Sequence, residues 1–523
     1  MYHFIINFLI ASMKSSDRKP RLKENKSFFN KALSGVETIG NQLPDPITLF
    51  FLLSVVIIII SAIAESIDLA VVHPGTGENV TAVSLLTPDG IRRMVTEAVN
   101  NFVTFPPLGT VLVAMLGVGV AESTGLLSAL LRQGVLIAPA AIISPAIVFL
   151  GVMSNLASDA GYVVLTPLGA LVFLAFGRHP IAGLAAAFAG VSGGYSANLL
   201  IGVLDPLLAG ITEGSAQLIN PDYTVNATAN YYFMAVSTFL ITLIGWYVTD
   251  KIVEPRLGNF QGENVAITSL TAAERKGLRW ASFSLLALLA CFLGMLLPPQ
   301  GILREPETLT IIPSPFLEGI VPIIMLAFLI PGIVYGKVAG TIRNDKDVAQ
   351  ALSNSMSNMG YYIALAFAAA QFVAYFGWTN LGLILAVKGA EFLETTGFTG
   401  IPLLIAFILV SGFINLFIGS ASAKWNIMAP VFVPLLMLIG YSPEFTQLAY
   451  RIGDSTTNII TPLMPYFPVI VAFGNKYDKN LGIGTLIATM LPYSIAFLIG
   501  WMIFFIIWFT FGIPLGPGAG IRI

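Results

Sequence analysis

Long apolar runs with few charges recur along this chain of 523 residues and constrain its fold more than any other feature. A helix needs about 20 apolar residues to cross the hydrocarbon core of a bilayer, where only helices and closed barrels satisfy their backbone. Apolar residues make up 56% of the chain and charged residues only 10%, and a soluble fold cannot bury so much apolar surface. We therefore predict an all-α integral membrane protein. The runs lie at about 45–65, 108–131, 231–248, 280–297, 320–335, 361–375 and 486–511.

Charge and cysteine content exclude several other classes. Basic residues number 26 and acidic residues 28, so no basic excess points to nucleic acid. Cys291 is the only cysteine, and the three histidines are far apart, which fits neither a disulfide framework nor a zinc site. The chain has no Walker loop for ATP. We predict no nucleic-acid partner, no cofactor and no resident metal beyond a coupling sodium ion.

Basic residues predict which side of the membrane each connection faces. Residues 1–34 hold an apolar stretch, 2–13, that is too short to span the bilayer, followed by a basic segment. Connections rich in lysine and arginine stay in the cytoplasm, so the N-terminus is predicted to be cytoplasmic. Counting sides along the chain gives nine transmembrane helices, two re-entrant hairpins and a C-terminus on the outside.

Two regions, at about 135–176 and about 400–440, do not fit a simple span. Polar residues interrupt both, and arginines flank the first at either end, so it is predicted to enter and leave by the cytoplasmic face. Because successive spans alternate between the two sides of the membrane, the second hairpin is predicted to open outward. Polar tips at membrane depth are tolerated only against protein or a watery cavity. The candidate tip residues are Asn155, Ser158, Asp159 and Ser420.

The two hairpin regions also resemble each other, and each is followed by a span interrupted by polar residues. Because one hairpin opens inward and the other outward, the repeat is predicted to be inverted. Chance matching of abundant glycine and proline is the alternative. Broken hydrophobic segments at matching places in two halves point to a transporter site. The pairs at constant offset are Pro167 and Pro430, Gly177 and Gly440, Pro180 and Pro443, Gly190 and Gly453, and Ser192 and Ser455; Asn155 and Asn415 match after a three-residue gap.

Three charged residues fall inside these broken segments, where a charge costs a few kcal/mol. Arg451 and Asp454 are three apart on one helix face and are predicted to pair. The pair either holds two helices together or serves transport, with arginine neutralising an organic anion and Asp454 binding a cation or proton. Asp205 is the matching acid in the first half, or a plain cap near the outer surface.

The hairpin tips supply further candidate ligands. Broken helices expose N–H groups for a substrate carboxylate and carbonyls for a small cation. Trp425 offers a flat face to an aromatic substrate, or it anchors the protein at the membrane interface. Lys424 beside it is predicted to reach the head groups. Asp159 either orients the first tip or contacts the solute. Side-chain oxygens beside the breaks come from Asn155, Ser158, Asn415, Ser420 and Ser422.

Eight short motifs spread along the chain carry a family resemblance. They are Gly40–Pro46, Gly177–Pro180, Lys251–Gly258, Gly301–Arg304, Gln371–Ala374, Gly419–Trp425, Tyr450–Asp454 and Leu515–Gly518. By these motifs the chain resembles the aminobenzoyl-glutamate transporter (AbgT) family over nearly its whole length. The resemblance implies a dimeric inner-membrane carrier of nine spans and two hairpins, occupying residues 35–523. It also implies ion-coupled movement of aminobenzoyl-glutamate or related aminobenzoate and sulfonamide compounds.

The family's functional positions carry over onto intact motifs in this chain. They are Asp205, Asn415, Ser422, Trp425, Pro443, Arg451, Asp454 and Pro462. Pro443 and Pro462 are expected to break helices and serve gating, while Asp205, Asp454 and Asn415 are the candidates for proton or sodium coupling. Lys424 stands where some relatives have glutamine or isoleucine.

The sequence therefore predicts a secondary active transporter and not an enzyme. We expect Arg451 and the tip amides to hold a substrate carboxylate, Trp425 to stack on its ring, and hairpins to move against a homodimeric scaffold in the bilayer. A carrier of another dicarboxylate is the alternative within this class. An ion channel or a membrane enzyme acting on lipid precursors is the alternative from another class.

Overall fold

The computed structural model of the chain describes residues 44–72, 77–157, 161–258, 260, 269–312, 314–461, 463–464, 466–479 and 481–523. The predicted cytoplasmic segment 1–34 lies outside the described residues, as do the candidate site residues Ser158, Asp159 and Pro462.

Helices make up most of the described chain, with one short β-hairpin. The helices are α1 Pro46–Ser66, α2 Pro88–Val103, α3 Pro106–Ser123, α4 Leu126–Ile137, α5 Ile143–Ser154, α6 Thr166–Ala175, α7 Pro180–Phe188, α8 Leu204–Ala216, α9 Tyr231–Val248, α10 Glu254–Leu257, α11 Ala272–Leu296, α12 Pro315–Glu318, α13 Ile320–Ala339, α14 Asp345–Asn358, α15 Gly360–Trp378, α16 Leu381–Thr396, α17 Gly400–Asn415, α18 Ala421–Leu438, α19 Pro443–Asn458, α20 Phe467–Gly474 and α21 Ile483–Thr510. The strands β1 Ala70–Val72 and β2 Asn79–Thr81 pair antiparallel, with Val71 opposite Val80.

Within the described residues, eight helical segments are long and apolar enough to cross a membrane. The predicted run at 231–248 coincides with α9, and the other predicted runs fall on long apolar helices with one exception. The exception is the run at 108–131, which is not continuous and divides into α3, part of a candidate span, and the shorter helix α4. The chain turns through Gly125, whose φ is +86°, so α3 ends before it and α4 begins after it. Glycine adopts this left-handed conformation without the steric cost that a β-carbon brings.

Both predicted hairpin regions contain two helical arms with a break between them. In the first region, α5 ends at Ser154, a short 3₁₀ turn follows, and a wide π-helical turn at Gly161–Leu165 leads into α6. In the second region, α17 ends at Asn415 and α18 begins at Ala421. Ser420 caps α18 because its hydroxyl accepts a hydrogen bond from the Ala423 amide.

The first arm of each region packs against the broken segment that follows, at equivalent glycines. A β-carbon on Gly190 would lie 2.3 Å from the carbonyl oxygen of Val148, and one on Gly453 would lie 2.3 Å from that of Ile408. Only glycine permits such close backbone approach. The matched pair Gly190 and Gly453 in the sequence therefore marks the same packing in both halves.

The most polar buried element is α19, which packs against α8, α17, α18 and α21. Apolar side chains surround it, and nearly every residue along it is buried. Ser442 caps its start by accepting a hydrogen bond from the Phe445 amide, and Pro443 occupies the first turn, where its missing N–H costs nothing. A polar helix can be buried only if its polar groups find partners, and these partners form the candidate site.

Candidate functional site

Lys424 lies at the centre of a buried polar cluster. Its Nζ lies 2.5 Å from Asp454 Oδ1 and 2.5 Å from Asn415 Oδ1. Its side chain is 0% exposed and that of Asp454 2% exposed, so the prediction that Lys424 reaches the head groups is wrong. The amine does not reach out because a buried carboxylate on α19 faces it. A buried charge of this kind is stable only when it is paired.

Arg451 forms a second buried ion pair, and its partner is Asp205 on α8. The Nη1 to Oδ1 distance is 2.8 Å, and the second oxygen of Asp205 accepts a hydrogen bond from the Gly202 amide. The predicted pairing of Arg451 with Asp454 is therefore wrong, because each residue finds an opposite charge on another helix. The alternative of Asp205 as a cap near the outer water is also wrong, since its side chain is only 3% exposed.

Trp425 is fully buried between helices. Its ring stacks on that of Tyr450 at a centroid distance of 4.3 Å, and its Nε1 donates to Thr212 Oγ1 at 2.9 Å. Thr212 in turn donates to Gln447, which links α18 through α8 to α19. An interface anchor would be exposed at the bilayer surface, so that alternative is wrong. Stacking on a substrate ring stays a prediction, and it requires the contact with Tyr450 to open.

Asn415 joins the second hairpin region to α19. Its Nδ2 lies within 2.8–2.9 Å of the Asp454 carbonyl, Thr457 Oγ1 and Asn458 Oδ1. The matching Asn155 makes longer contacts: its Nδ2 lies 3.1 Å from the Val152 carbonyl and 3.4 Å from the Gly194 carbonyl, and its Oδ1 has no hydrogen-bond partner among the described residues. The two asparagines thus occupy similar places, and only the second belongs to an ion-pair cluster.

A cavity of about 260 Å³ lies between the first and second hairpin regions. Ser420 and Ser422 line it from the start of α18, and Asn458 lines it from the end of α19. Tyr162 and Tyr466 also line it, with their rings stacked in parallel at 4.7 Å. The volume lies near the lower end for small-ligand pockets, and hydroxyl, amide and aromatic groups converge on it.

The predicted candidates divide into two sets in the structure. Ser420 and Ser422 line the cavity, and Asn155 lines an adjoining space of about 170 Å³. A second set lies behind the cavity wall and is fully buried: Asn415, Trp425, Arg451, Asp454 and Asp205. Pro443 begins α19 at its first turn and kinks no helix. Asn458 connects the two sets, because it lines the cavity and accepts a hydrogen bond from Asn415.

Sequence reasoning missed several members of the site. Tyr162, Tyr195 and Tyr466 all line the cavity, and none was a candidate. Tyr195 lies within the polar-interrupted stretch Gly190–Asn198, so its place in the repeat could have identified it. Lys424 was placed at the surface because the sequence shows no partner for it. Among the described residues, no group of three or more His, Cys, Asp or Glu side chains is arranged to hold a metal ion.

Paired charges enclosed by apolar helices, together with helix breaks at matching places in two halves, are typical of a membrane transporter. The sequence profile described as "AbgT putative transporter family" matches residues 31–523. The chain belongs to the AbgT family. Because the family and its relatives are transporters, the chain is a transporter and not an enzyme.

Three relatives illustrate the similarity. The p-aminobenzoyl-glutamate transport protein of Escherichia coli K12 is 40% identical over 495 residues, which cover 94% of this chain and 97% of that protein. The solved structure of the Alcanivorax borkumensis YdaH transporter, described as having an unusual topology, is 48% identical with a TM-score of 0.88 and covers 91% of this chain and 100% of its own. The structure of Neisseria gonorrhoeae MtrF, described as illuminating a class of antimetabolite efflux pumps, is 52% identical with a TM-score of 0.88. The match covers 93% of this chain and 100% of the MtrF chain.

Proposed function

We propose that the chain is a secondary active transporter that moves p-aminobenzoyl-glutamate, or related aminobenzoate and sulfonamide compounds, across the inner membrane. A proton or sodium gradient drives the movement. The name of the Escherichia coli relative and the description of MtrF support this substrate class. The proposal is narrower than the family alone, which establishes only a membrane transporter.

The cavity between the hairpin regions is the observation that carries the proposal. At one wall, Ser420 caps the start of α18 and Ser422 lies in its first turn, so the N-terminal end of this helix, with its partial positive charge, borders the cavity. A helix N-terminus suits a carboxylate. At another wall, the stacked rings of Tyr162 and Tyr466 offer aromatic surface. An aminobenzoyl ring that carries carboxylates has both matching chemistries.

The two buried ion pairs supply the proposed coupling. Both carboxylates are neutralised in this conformation, Asp205 by Arg451 and Asp454 by Lys424. A substrate carboxylate could replace Asp205 on Arg451, whose Nε has no hydrogen-bond partner among the described residues. Exchange of ionic partners would then couple the solute to the ion. Asp454, Asp205 and Asn415 keep their proposed coupling role.

The proposed architecture has nine transmembrane helices and two re-entrant hairpins in an inverted repeat. The N-terminus lies in the cytoplasm, the C-terminus in the periplasm, and two copies form a homodimer. The hairpins move against the dimer scaffold. Support comes from the paired helix breaks and from the equivalent contacts of Gly190 and Gly453.

A reconstituted flux assay tests the proposal. Purified protein in liposomes should show saturable flux of labelled aminobenzoyl-glutamate under an imposed proton or sodium gradient. Ser422→Ala, which removes a cavity hydroxyl, should raise KM several-fold because one hydrogen bond to the solute is lost. Ser284→Ala is the matched control, since Ser284 bonds only the Ala281 carbonyl of its own helix.

Three results would contradict the proposal. Absence of saturable flux for any aminobenzoate compound would exclude the substrate class. Conductance that rises linearly with solute concentration would indicate a channel. Equal KM changes in the Ser422 and Ser284 variants would show that the cavity is not the binding site.

A further inference from the structure

The Lys424 ammonium is surrounded by groups that can hold a cation. A carboxylate oxygen of Asp454 and an amide oxygen of Asn415 each lie 2.5 Å from Nζ, and the ring of Tyr450 lies 5.4 Å below it. Anionic oxygen, neutral oxygen and an aromatic face are the groups that stabilise a small monovalent cation inside a protein. Lys424 occupies this position with a charge that is covalently tied to the chain.

No other charged group among the described residues competes for Asp454. Arg451, three residues before it on α19, pairs with Asp205 of α8. The helix α16 also packs against α18, and its Lys388 pairs with Glu391 at the exposed surface. α17 carries no charged side chain, and Asn415 is its polar group facing the amine. The amine and the carboxylate therefore neutralise each other.

We propose that Lys424 is a tethered cation that fills the monovalent-cation site formed by Asp454 and Asn415. Sodium then has no place at Asp454 and Asn415, so of the two coupling ions of the proposed function the proton remains, and solute flux by this chain is independent of sodium. The statement about flux rests on the proposed transport function, and the statement about the site does not. Removal of the amine should open the site to sodium.

Sodium binding tests the site without any transport. The melting temperature of purified protein is measured as sodium chloride replaces choline chloride at constant ionic strength. Wild type should not respond. Lys424→Gln leaves Asp454 without its counter-charge, so sodium should raise its melting temperature by several degrees with saturation, because a ligand that binds only the folded state stabilises it.

Two control variants separate a specific site from a general salt effect. Lys424→Arg keeps the tethered charge and should stay insensitive to sodium. The double variant Lys424→Gln with Asp454→Asn removes both charges and should lose the sodium response. A sodium-specific rise in wild type, or a folded Lys424→Gln variant without any response, would overturn the proposal.

Wild-type flux gives a second measurement that needs no variant, so the proposal stays testable if Lys424→Gln does not fold. Proteoliposomes driven by a proton gradient should take up labelled aminobenzoyl-glutamate at rates within twofold in sodium and in choline. A tenfold lower rate without sodium would overturn the proposal. Absence of saturable flux in both salts would instead contradict the proposed function, and the melting measurements would then decide the cation site alone.

Discussion

Arg451 and Asp205 depend on each other because both side chains are at most 3% exposed. Removal of either charge leaves the other buried without a counter-charge, which costs about 3–5 kcal/mol. Asp205→Asn and Arg451→Gln should each lower the melting temperature of purified protein strongly. The double variant should be more stable than either single variant, because no isolated charge remains. If the decrease in melting temperature of the double variant equals the sum of the two single decreases, the two side chains are not coupled.

At the residue scale, the sequence identified the charged residues inside the broken segments better than it identified their partners. Asp205, Arg451 and Asp454 stood out because charges are rare in apolar segments, and all three are buried in ion pairs. The predicted pair within one helix failed because spacing along a helix describes only local neighbours. Lys424 on α18 contacts Asp454 on α19, and a contact between two helices leaves no local pattern in the sequence.

At the element scale, the close crossings at Gly190 and Gly453 yield a prediction about packing. An alanine at Gly453 would place its β-carbon 2.3 Å from a backbone carbonyl, which side-chain rotation cannot relieve. Gly453→Ala and Gly190→Ala should each destabilise the fold by about 1–3 kcal/mol through overpacking. Thermal unfolding in detergent measures the loss.

The matched control for these variants is Gly294→Ala. Gly294 lies within α11, and a β-carbon added there would meet no other atom within 4 Å. Alanine there should be neutral or raise stability by about 0.5–1 kcal/mol, because glycine loses more backbone freedom on folding. Equal effects of Gly453→Ala and Gly294→Ala would show that the close crossing does not limit packing.

The two repeat asparagines should differ when each is replaced by alanine. Asn415 Nδ2 lies within 2.9 Å of three acceptors and its Oδ1 accepts from Lys424, whereas Asn155 Nδ2 lies 3.1 Å from the Val152 carbonyl and 3.4 Å from the Gly194 carbonyl. Asn415→Ala should lower the melting temperature more than Asn155→Ala, because it leaves buried polar groups unpaired. An equal or reversed order would contradict the view that only the second repeat is organised around the ion pair.

The length of the apolar runs predicted most long helices, and the polar residues that interrupt those runs predicted the helix breaks. Both signals come from residues close together in the chain. The helices α2, α14 and α16 were missed because they carry charges and fall below the apolar threshold of a span. The aromatic lining of the cavity was also missed, since Tyr162 and Tyr466 meet from segments far apart in the sequence.

At the scale of the whole molecule, the distribution of charge explains how the chain divides into scaffold and site. Long apolar helices such as α1 and α11 expose large aliphatic side chains over much of their surface, as expected of lipid-facing elements. The polar helix α19 is buried instead. The bilayer therefore surrounds a protein whose polar interior is concentrated along one helix and its partners.

The predicted membrane topology can be tested with single cysteines. Cys291 is the only cysteine and is exposed on α11, so Cys291→Ala gives a background without thiols. In spheroplasts, a membrane-impermeant maleimide should label Ile523→Cys, because an odd number of spans places the C-terminus outside. Lys479→Cys lies in a basic connection and should be labelled only after lysis, since basic connections stay in the cytoplasm. Lys479 precedes α21 and Ile523 follows it, so a single crossing by α21 places the two positions on opposite sides. Labelling of both positions before lysis, or of neither, would contradict the nine-span topology.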